Sequence, residues 1–213
     1  MIAIYSKFYS LSPEKQERII NAAFKEFAYK GYEQASTNEI VKNSGISKGA
    51  LFHYFKSKKE LYQFLLGQLT EFSKQVIEKT DWSERDFFKR MYQIGITKLE
   101  LARKTPTIFE FATSLTREDS LIAKEIIDSS LRTITEKGVA LMYENIDFSK
   151  FREDVDLDKV MKIIHWTLFA LSDEESSRIG TLDELGQDML NEYKEYLDTM
   201  QKCFYKSNSD GNI

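Results

Sequence analysis

The stretch that decides the fold lies at residues 36–61 and reads STNEIVKNSGISKGALFHYFKSKKEL. It contains two Ser-x-x-Glu capping boxes, at residues 36–39 and 57–60, and each is typical of the start of a helix. Gly45 stands where a helix would end in a left-handed residue, and Ser47 is a good N-cap for the next helix. The pattern predicts two short helices joined by a tight turn, followed by a third helix.

The second short helix carries an unusual set of outward-facing side chains. Leu51 and Phe55 lie four residues apart and are predicted to face the core. The opposite face would then carry Lys48, Gly49, Phe52 and His53. Glycine costs a helix about 1 kcal/mol relative to alanine, and an outward phenylalanine gains nothing from water. Both residues make sense if a ligand covers this face.

Double-stranded DNA fits this face, because the second helix of a helix-turn-helix enters the major groove. Gly49 and Ala50 would permit close approach, Lys48 would donate to guanine, and Phe52 would touch a thymine methyl group. Phosphate contacts are expected from residues around this face and from the start of the first short helix. These are Thr37, Ser47, His53, Tyr54 and Lys58.

The rest of the chain has helical periodicity. Two prolines and nine glycines are too few for a many-stranded β fold, so an all-α fold is predicted. Ser12 and Pro13 should begin a helix that Gly31 ends, and a Ser-x-x-Asp box at residues 83–86 should begin another. Further helices are predicted at about 106–115, 119–145, 156–173 and 182–204, with a loop at 148–154.

Charge is distributed unevenly along the chain. The 213 residues have a net charge of −4, but the first 60 contain ten Lys and Arg against six acidic residues, which leaves −8 for the remainder. This asymmetry favours a basic nucleic-acid-binding domain joined to an acidic body. The single cysteine predicts a reducing, cytoplasmic location, with no disulfide and no metal site. Neither a secretory leader nor a membrane span is predicted.

Residues 14–66 closely resemble the DNA-binding domain of the tetracycline-repressor (TetR) family of bacterial regulators. The resemblance rests on the ordered strings TNEIV, SGISKGALFHYF and KSKKEL. It differs at Phe52, where many members have tyrosine, and at Val41, where alanine is frequent. Val41 would widen the packing slightly where the two short helices cross.

The resemblance implies an all-helical homodimer that binds an operator and is released by a small-molecule effector, without a cofactor. Carried over by position, Lys48, Gly49, Ala50 and Phe52 would meet bases, and the five phosphate-binding residues named above would hold the backbone. The implied domains are a helix-turn-helix domain at residues 1–58, a helical effector-binding and dimerisation domain at 59–206, and a polar tail at 207–213.

The body contains aromatic residues that would line a largely apolar effector site, or else form plain core. The candidates are Phe88, Tyr92, Phe109, His165 and Trp166. For His165, a satisfied core or interface position is favoured over a contact with the effector. The last two helices have wide apolar stripes that would pair with a second copy in a four-helix bundle, or pack on their own chain.

Two alternatives come from other functional classes. An enzyme is disfavoured, because the chain lacks a Gly-rich phosphate loop, an HExxH motif and a GxSxG motif. A helical binding module that does not touch nucleic acid is the stronger rival. Association with DNA that weakens as salt rises would separate the two, since phosphate contacts release counterions.

Overall fold

The computed structural model describes residues 5–103, 107–177 and 182–207. For residues 173, 175–177 and 182–186 it describes the backbone only. This part of the chain is helical, and its one β contact is an isolated bridge between Phe151 and Tyr205. None of its helices is long and apolar enough to cross a membrane. The helices are α1 (Ser6–Tyr9), α2 (Pro13–Gln34), α3 (Thr37–Ser44), α4 (Lys48–Tyr54), α5 (Lys58–Lys79), α6 (Phe87–Ala102), α7 (Thr107–Ser114), α8 (Leu121–Tyr143), α9 (Leu157–Ser177) and α10 (Leu182–Phe204).

The all-α prediction is confirmed, and the helices differ from the prediction in several details. The four-residue helix α1 was not predicted, because the polar and aromatic residues before Ser12 show no helical period. Gly31 has a φ of 68° and interrupts α2, but the chain resumes helical geometry to Gln34. The residues expected as a loop at 148–154 begin with a single 3-10 turn at Phe148–Lys150.

The predicted helix start at Ser83 is wrong. α6 begins at Phe87, and its N-cap is Asp86, whose carboxylate accepts a hydrogen bond from the Lys89 N–H at 3.1 Å. Ser83 instead donates its own N–H to Asp81 at 2.9 Å. Asp86, the last residue of the expected capping box, is therefore itself the N-cap of α6. A short turn that Asp81 stabilises precedes it and delays the start of the helix.

The described residues pack as two compact units. The first unit comprises residues 5–74 and 107–135, and its core is rich in phenylalanine: Phe8, Phe24, Phe27, Phe64 and Phe111 are all buried. α2 packs against both α3 and α7 in this unit. Glu118, which follows α7, accepts the Tyr32 N–H at 2.8 Å beside the Gly31 kink.

The second unit comprises residues 75–103 and 136–207, and α10 packs there against α6 and α9. Arg90 is fully buried in it. Its guanidinium donates to the backbone oxygens of Leu141 at 3.0 Å, Glu144 at 2.6 Å and Trp82 at 2.8 Å. A buried cation thus satisfies carbonyls at the C-terminal end of α8, where the helix dipole favours positive charge.

The predicted domain limits do not coincide with a break in the helices. The proposed boundary between residues 58 and 59 falls in the first turn of α5, which runs on to Lys79. The division into domains 1–58, 59–206 and 207–213 stays a prediction about function, and most of the polar tail lies outside the described residues.

Candidate nucleic-acid interface

The turn between α3 and α4 has the geometry that the sequence predicts. α3 ends at Gly45, which has a φ of 67° in the left-handed region where glycine is favoured. The Ile46 N–H donates to the Val41 carbonyl at 3.1 Å across this turn. Ser47 then caps α4, and its Oγ accepts a hydrogen bond from the Ala50 N–H at 3.1 Å. The sequence from Gly45 to Ser47 therefore fixes where α3 stops and α4 starts.

The expected capping box at Ser36 does not form. Ser36 holds the N-cap position of α3, but its side chain makes no cap hydrogen bond. Its backbone N–H donates instead to Glu26 of α2 at 2.9 Å, and Glu39 pairs with Lys42 at 3.6 Å. The Glu26 carboxylate of α2 thus accepts the hydrogen bond from the Ser36 N–H that the Glu39 carboxylate was expected to accept. At the second box, the Glu60 N–H donates to Ser57 Oγ at 3.1 Å, as predicted.

An aromatic cluster packs against the buried side of α4. Leu51 and Phe55 are each 1% exposed, which confirms that this side of α4 faces the core. The Phe55 ring lies 5.1 Å from Phe8 of α1 and 4.9 Å from Phe64 of α5. Sequence reasoning missed Phe8, because α1 is too short to show a period. Rings on three helices therefore fix the orientation of α4.

The opposite side of α4, formed by Lys48, Gly49, Phe52 and His53, is called the outer face here. Lys48, Gly49 and His53 are exposed and Phe52 is half-buried, while Ala50 beside them is also half-buried. A Cβ added to Gly49 would meet only Ser47 Oγ, 4.0 Å away. Because neither packing nor a positive φ requires glycine there, the fold does not explain this residue.

The residues predicted to hold phosphates differ in how exposed they are and in the partners that they already have. Ser47 is exposed, whereas Thr37, at the start of α3, and Tyr54 are half-buried. Lys58 has other partners: its Nζ donates to the carbonyls of Glu33 at 3.0 Å and Ala35 at 3.3 Å, near the end of α2. Two of the three ammonium protons of Lys58 are therefore donated within the chain, and one remains for a phosphate.

The five residues predicted to line an effector site do not share one environment. Phe109 is half-buried in the first unit, and its ring lies 6.0 Å from Phe72. In the second unit Phe88 is buried against Tyr205, with ring centroids 5.1 Å apart, and Tyr92 is half-buried. His165 and Trp166 are exposed on α9, so the single chain does not hold His165 in its core. Among the described residues, no three His, Cys, Asp or Glu side chains are grouped as metal ligands would be.

A short exposed helix, set by a glycine turn and anchored by a buried aromatic face, defines a helix-turn-helix protein. Residues 19–64 match the model of the bacterial regulatory proteins of the tetR family. The chain is also 29% identical over 133 residues to the uncharacterised HTH-type transcriptional regulator YvkB of Bacillus subtilis. That match spans 58% of this chain and 69% of YvkB.

Solved structures share the fold over most of the chain. A TetR family transcriptional regulator from Chloroflexus aurantiacus has a TM-score of 0.69 at 20% identity, over 95% of this chain and 98% of that one. The fatty acid degradation regulator FadR from Bacillus halodurans has a TM-score of 0.60 at 17% identity, over 88% and 96%. Residues 19–64 thus match the DNA-binding domain of the tetR family, and the chain shares the fold of these solved regulators over most of its length.

Proposed function

We propose that the protein is a transcriptional repressor that binds a nearly palindromic DNA operator as a homodimer and leaves it when a small, largely apolar effector binds. The observation that carries the proposal is the outer face of α4. It presents the exposed Lys48 and a glycine, Gly49, that the fold does not need. The buried side of the same helix packs against the aromatic cluster of Phe8, Phe55 and Phe64. Close approach to base edges in the major groove accounts for both Lys48 and Gly49.

Dimerisation through the last two helices has support in the exposed apolar side chains of the second unit. On α9, Ile163 is 45%, Trp166 65% and Phe169 37% exposed, and Tyr196 of α10 is 42% exposed. The three α9 residues follow one another at intervals of three, so they form a single stripe. A stripe of large apolar side chains marks an interaction surface, and a second copy of the chain would cover it with the same residues.

Release by a small molecule has support in the family and in the names of relatives. The relative FadR is described as a regulator of fatty acid degradation, which favours an apolar effector here. In the second unit, Tyr92 is the member of the predicted set that is neither exposed nor packed in the core. We assign it the contact with the effector, while Trp166 and His165 belong on the dimer face.

Selection of bound fragments from genomic DNA, followed by footprinting, tests the proposal. Because a symmetric dimer imposes its two-fold axis on the site, the recovered sequences should contain inverted repeats, with both halves protected. Light scattering should give the mass of a dimer. Binding that ignores sequence, or footprints of single half-sites occupied by a monomer, would contradict the proposal.

The rival helical binding module is tested by the same DNA. Affinity for the selected fragment should fall steeply as salt rises, because each phosphate contact releases counterions. A fragment with both half-sites scrambled serves as the control for nonspecific binding. No measurable binding to either fragment at low salt would favour the rival.

A further inference from the structure

Helix α2 is interrupted close to its end, at Gly31. The backbone there has a φ of 68° and a ψ of 174°, a conformation that essentially only glycine adopts. Past this break the chain is helical again, and the Ala35 N–H donates to the Gly31 carbonyl at 3.1 Å. A break in a helix leaves backbone donors that other groups must satisfy. Tyr32, the residue after the break, is buried, so water does not serve its N–H.

Glu118 supplies the partner from a distant part of the sequence. It lies between α7 and α8, outside residues 19–64 that match the DNA-binding domain. One of its carboxylate oxygens accepts the Tyr32 N–H at 2.8 Å, and the other accepts the Ser120 N–H at 2.9 Å. The Ser120 hydroxyl also donates to the Glu33 carboxylate at 2.8 Å. The segment between α7 and α8 therefore holds the end of α2 at two adjacent residues.

The end of α2 in turn determines where the helix-turn-helix lies. Residues 31–36 are called the α2–α3 corner here, because only Ala35 and Ser36 separate the two helices. The corner is also bound to the start of α5, since Lys58 Nζ donates to the carbonyls of Glu33 and Ala35. A tight turn joins α3 to α4, so a shift of the corner would move both helices.

We propose that Glu118 is a positioning residue for DNA binding, because its carboxylate fixes the α2–α3 corner and so holds α3 and α4 in the orientation that binds the operator. The proposal rests on the proposed function in one respect, that α4 binds DNA. Apparent affinity falls with the fraction of molecules in the binding-competent arrangement. A hydrogen bond to an ionised carboxylate is among the stronger ones, so its loss should reduce that fraction.

Two variants of the full-length protein with the same net charge test the proposal. Glu118→Gln keeps an oxygen that accepts the Tyr32 N–H, whereas Glu118→Ala removes the acceptor. Attraction of the whole protein to DNA is equal in the two, so it cannot produce a difference between them. In fluorescence anisotropy with the selected operator, Glu118→Ala should bind about tenfold or more weakly than the unmodified protein, and Glu118→Gln within about threefold of it.

Thr107→Val is the matched control for lost stability. The Thr107 hydroxyl donates to Asn21 Oδ1 at 2.8 Å, so it too joins α7 to α2, but well before the break at Gly31. Thr107→Val and Glu118→Ala should each lower the melting temperature by about 2 to 4 °C. Only Glu118→Ala should lose operator affinity, measured at a temperature where both variants are folded.

Amide hydrogen exchange without DNA gives a readout at the corner itself. The Tyr32 N–H should exchange about tenfold or more faster in Glu118→Ala than in the unmodified protein, and Glu118→Gln should restore its protection. The Ile46 N–H donates within the α3–α4 turn at 3.1 Å. It should keep its protection in both variants, which would show that the helix-turn-helix itself remains folded.

Operator binding by Glu118→Ala that is as tight as that of the unmodified protein, or tighter, would overturn the proposal. So would an equal loss of affinity in Thr107→Val, or a Tyr32 amide that stays protected in Glu118→Ala. These failures are separate from that of the proposed function. If the unmodified protein binds no selected DNA, the proposed function falls, and amide exchange still decides whether Glu118 holds the corner.

Discussion

At the residue scale, a side chain at Gly49 should change stability and DNA affinity in opposite directions. Since a Cβ there meets only Ser47 Oγ at 4.0 Å, Gly49→Ala should stabilise α4 by up to about 1 kcal/mol through helix propensity. The same methyl group would hold the helix away from base edges, so operator affinity should fall. Urea unfolding and fluorescence anisotropy with labelled operator measure the two effects.

Gly138 of α8 provides a matched control for that substitution. A Cβ at Gly138 meets nothing within 4 Å, so Gly138→Ala should stabilise the protein by a similar amount and leave operator affinity unchanged. If Gly49→Ala bound operator as well as the unmodified protein, the outer face of α4 would not approach DNA closely.

Lys48 and Tyr54 should differ in what they contribute to binding. Lys48→Ala should relax base preference, with a loss of about 1 to 3 kcal/mol if it makes a bidentate contact. Tyr54→Phe should weaken binding to all sequences alike, because a phosphate contact has no base information. Binding to a library of single-base operator variants measures both. Altered base preference in Tyr54→Phe alone would show that the faces of α4 are assigned wrongly.

At the scale of elements, the helices could be predicted where sequence signals are local. Gly45 and Ser47 act within their own turn, so the sequence predicts the end of α3 and the start of α4. Ser36 is different, because the partner of its N–H is Glu26 from another helix. The start of α6 depends on a turn that Asp81 stabilises, and nothing in the Ser83 to Asp86 spacing reveals it.

Site residues that depend on tertiary packing could not be predicted. Arg90 is an ordinary charged residue in the sequence of an amphipathic helix. Only the fold shows that Arg90 is buried and meets the end of α8. The outer face of α4 could be predicted because its orientation follows from the four-residue spacing of Leu51 and Phe55.

The N-cap of α6 should make stability depend on pH. Burial alone would raise the pKa of Asp86, but hydrogen bonds from the Lys150 ammonium, the Lys89 N–H and the Tyr205 hydroxyl outweigh it and lower the pKa. A carboxylate with a lowered folded-state pKa stabilises the protein above its unfolded pKa, near 3.9. That contribution is lost as the pH falls through the folded-state pKa.

Asp86→Asn should therefore reduce the free energy of unfolding at pH 7 by about 1 to 3 kcal/mol, and the difference should shrink below about pH 4. Urea unfolding across this range measures it. Asp198→Asn is the control, because its pair with Lys194 is about half exposed and an exposed pair screened by solvent should contribute little to stability. A deficit in Asp86→Asn that stayed constant down to pH 3 would show that the lost stability does not come from the charge.

At the scale of the whole molecule, effector and operator binding must be linked. An effector can weaken operator binding only by the factor by which it prefers the DNA-free protein, typically about 1 to 3 kcal/mol. The small, largely apolar effector of the proposed function should therefore bind more weakly to the operator complex than to the free protein. Calorimetry of a candidate effector with and without saturating operator measures this ratio, and anisotropy of labelled operator with and without that effector measures the reciprocal one.

The two ratios must agree, because both close the same thermodynamic cycle. If the candidate effector bound equally well to the free protein and to the operator complex, it would occupy its site without regulating DNA binding. Coupling would then have to come from another ligand, because equal affinity for two states cannot shift the balance between them.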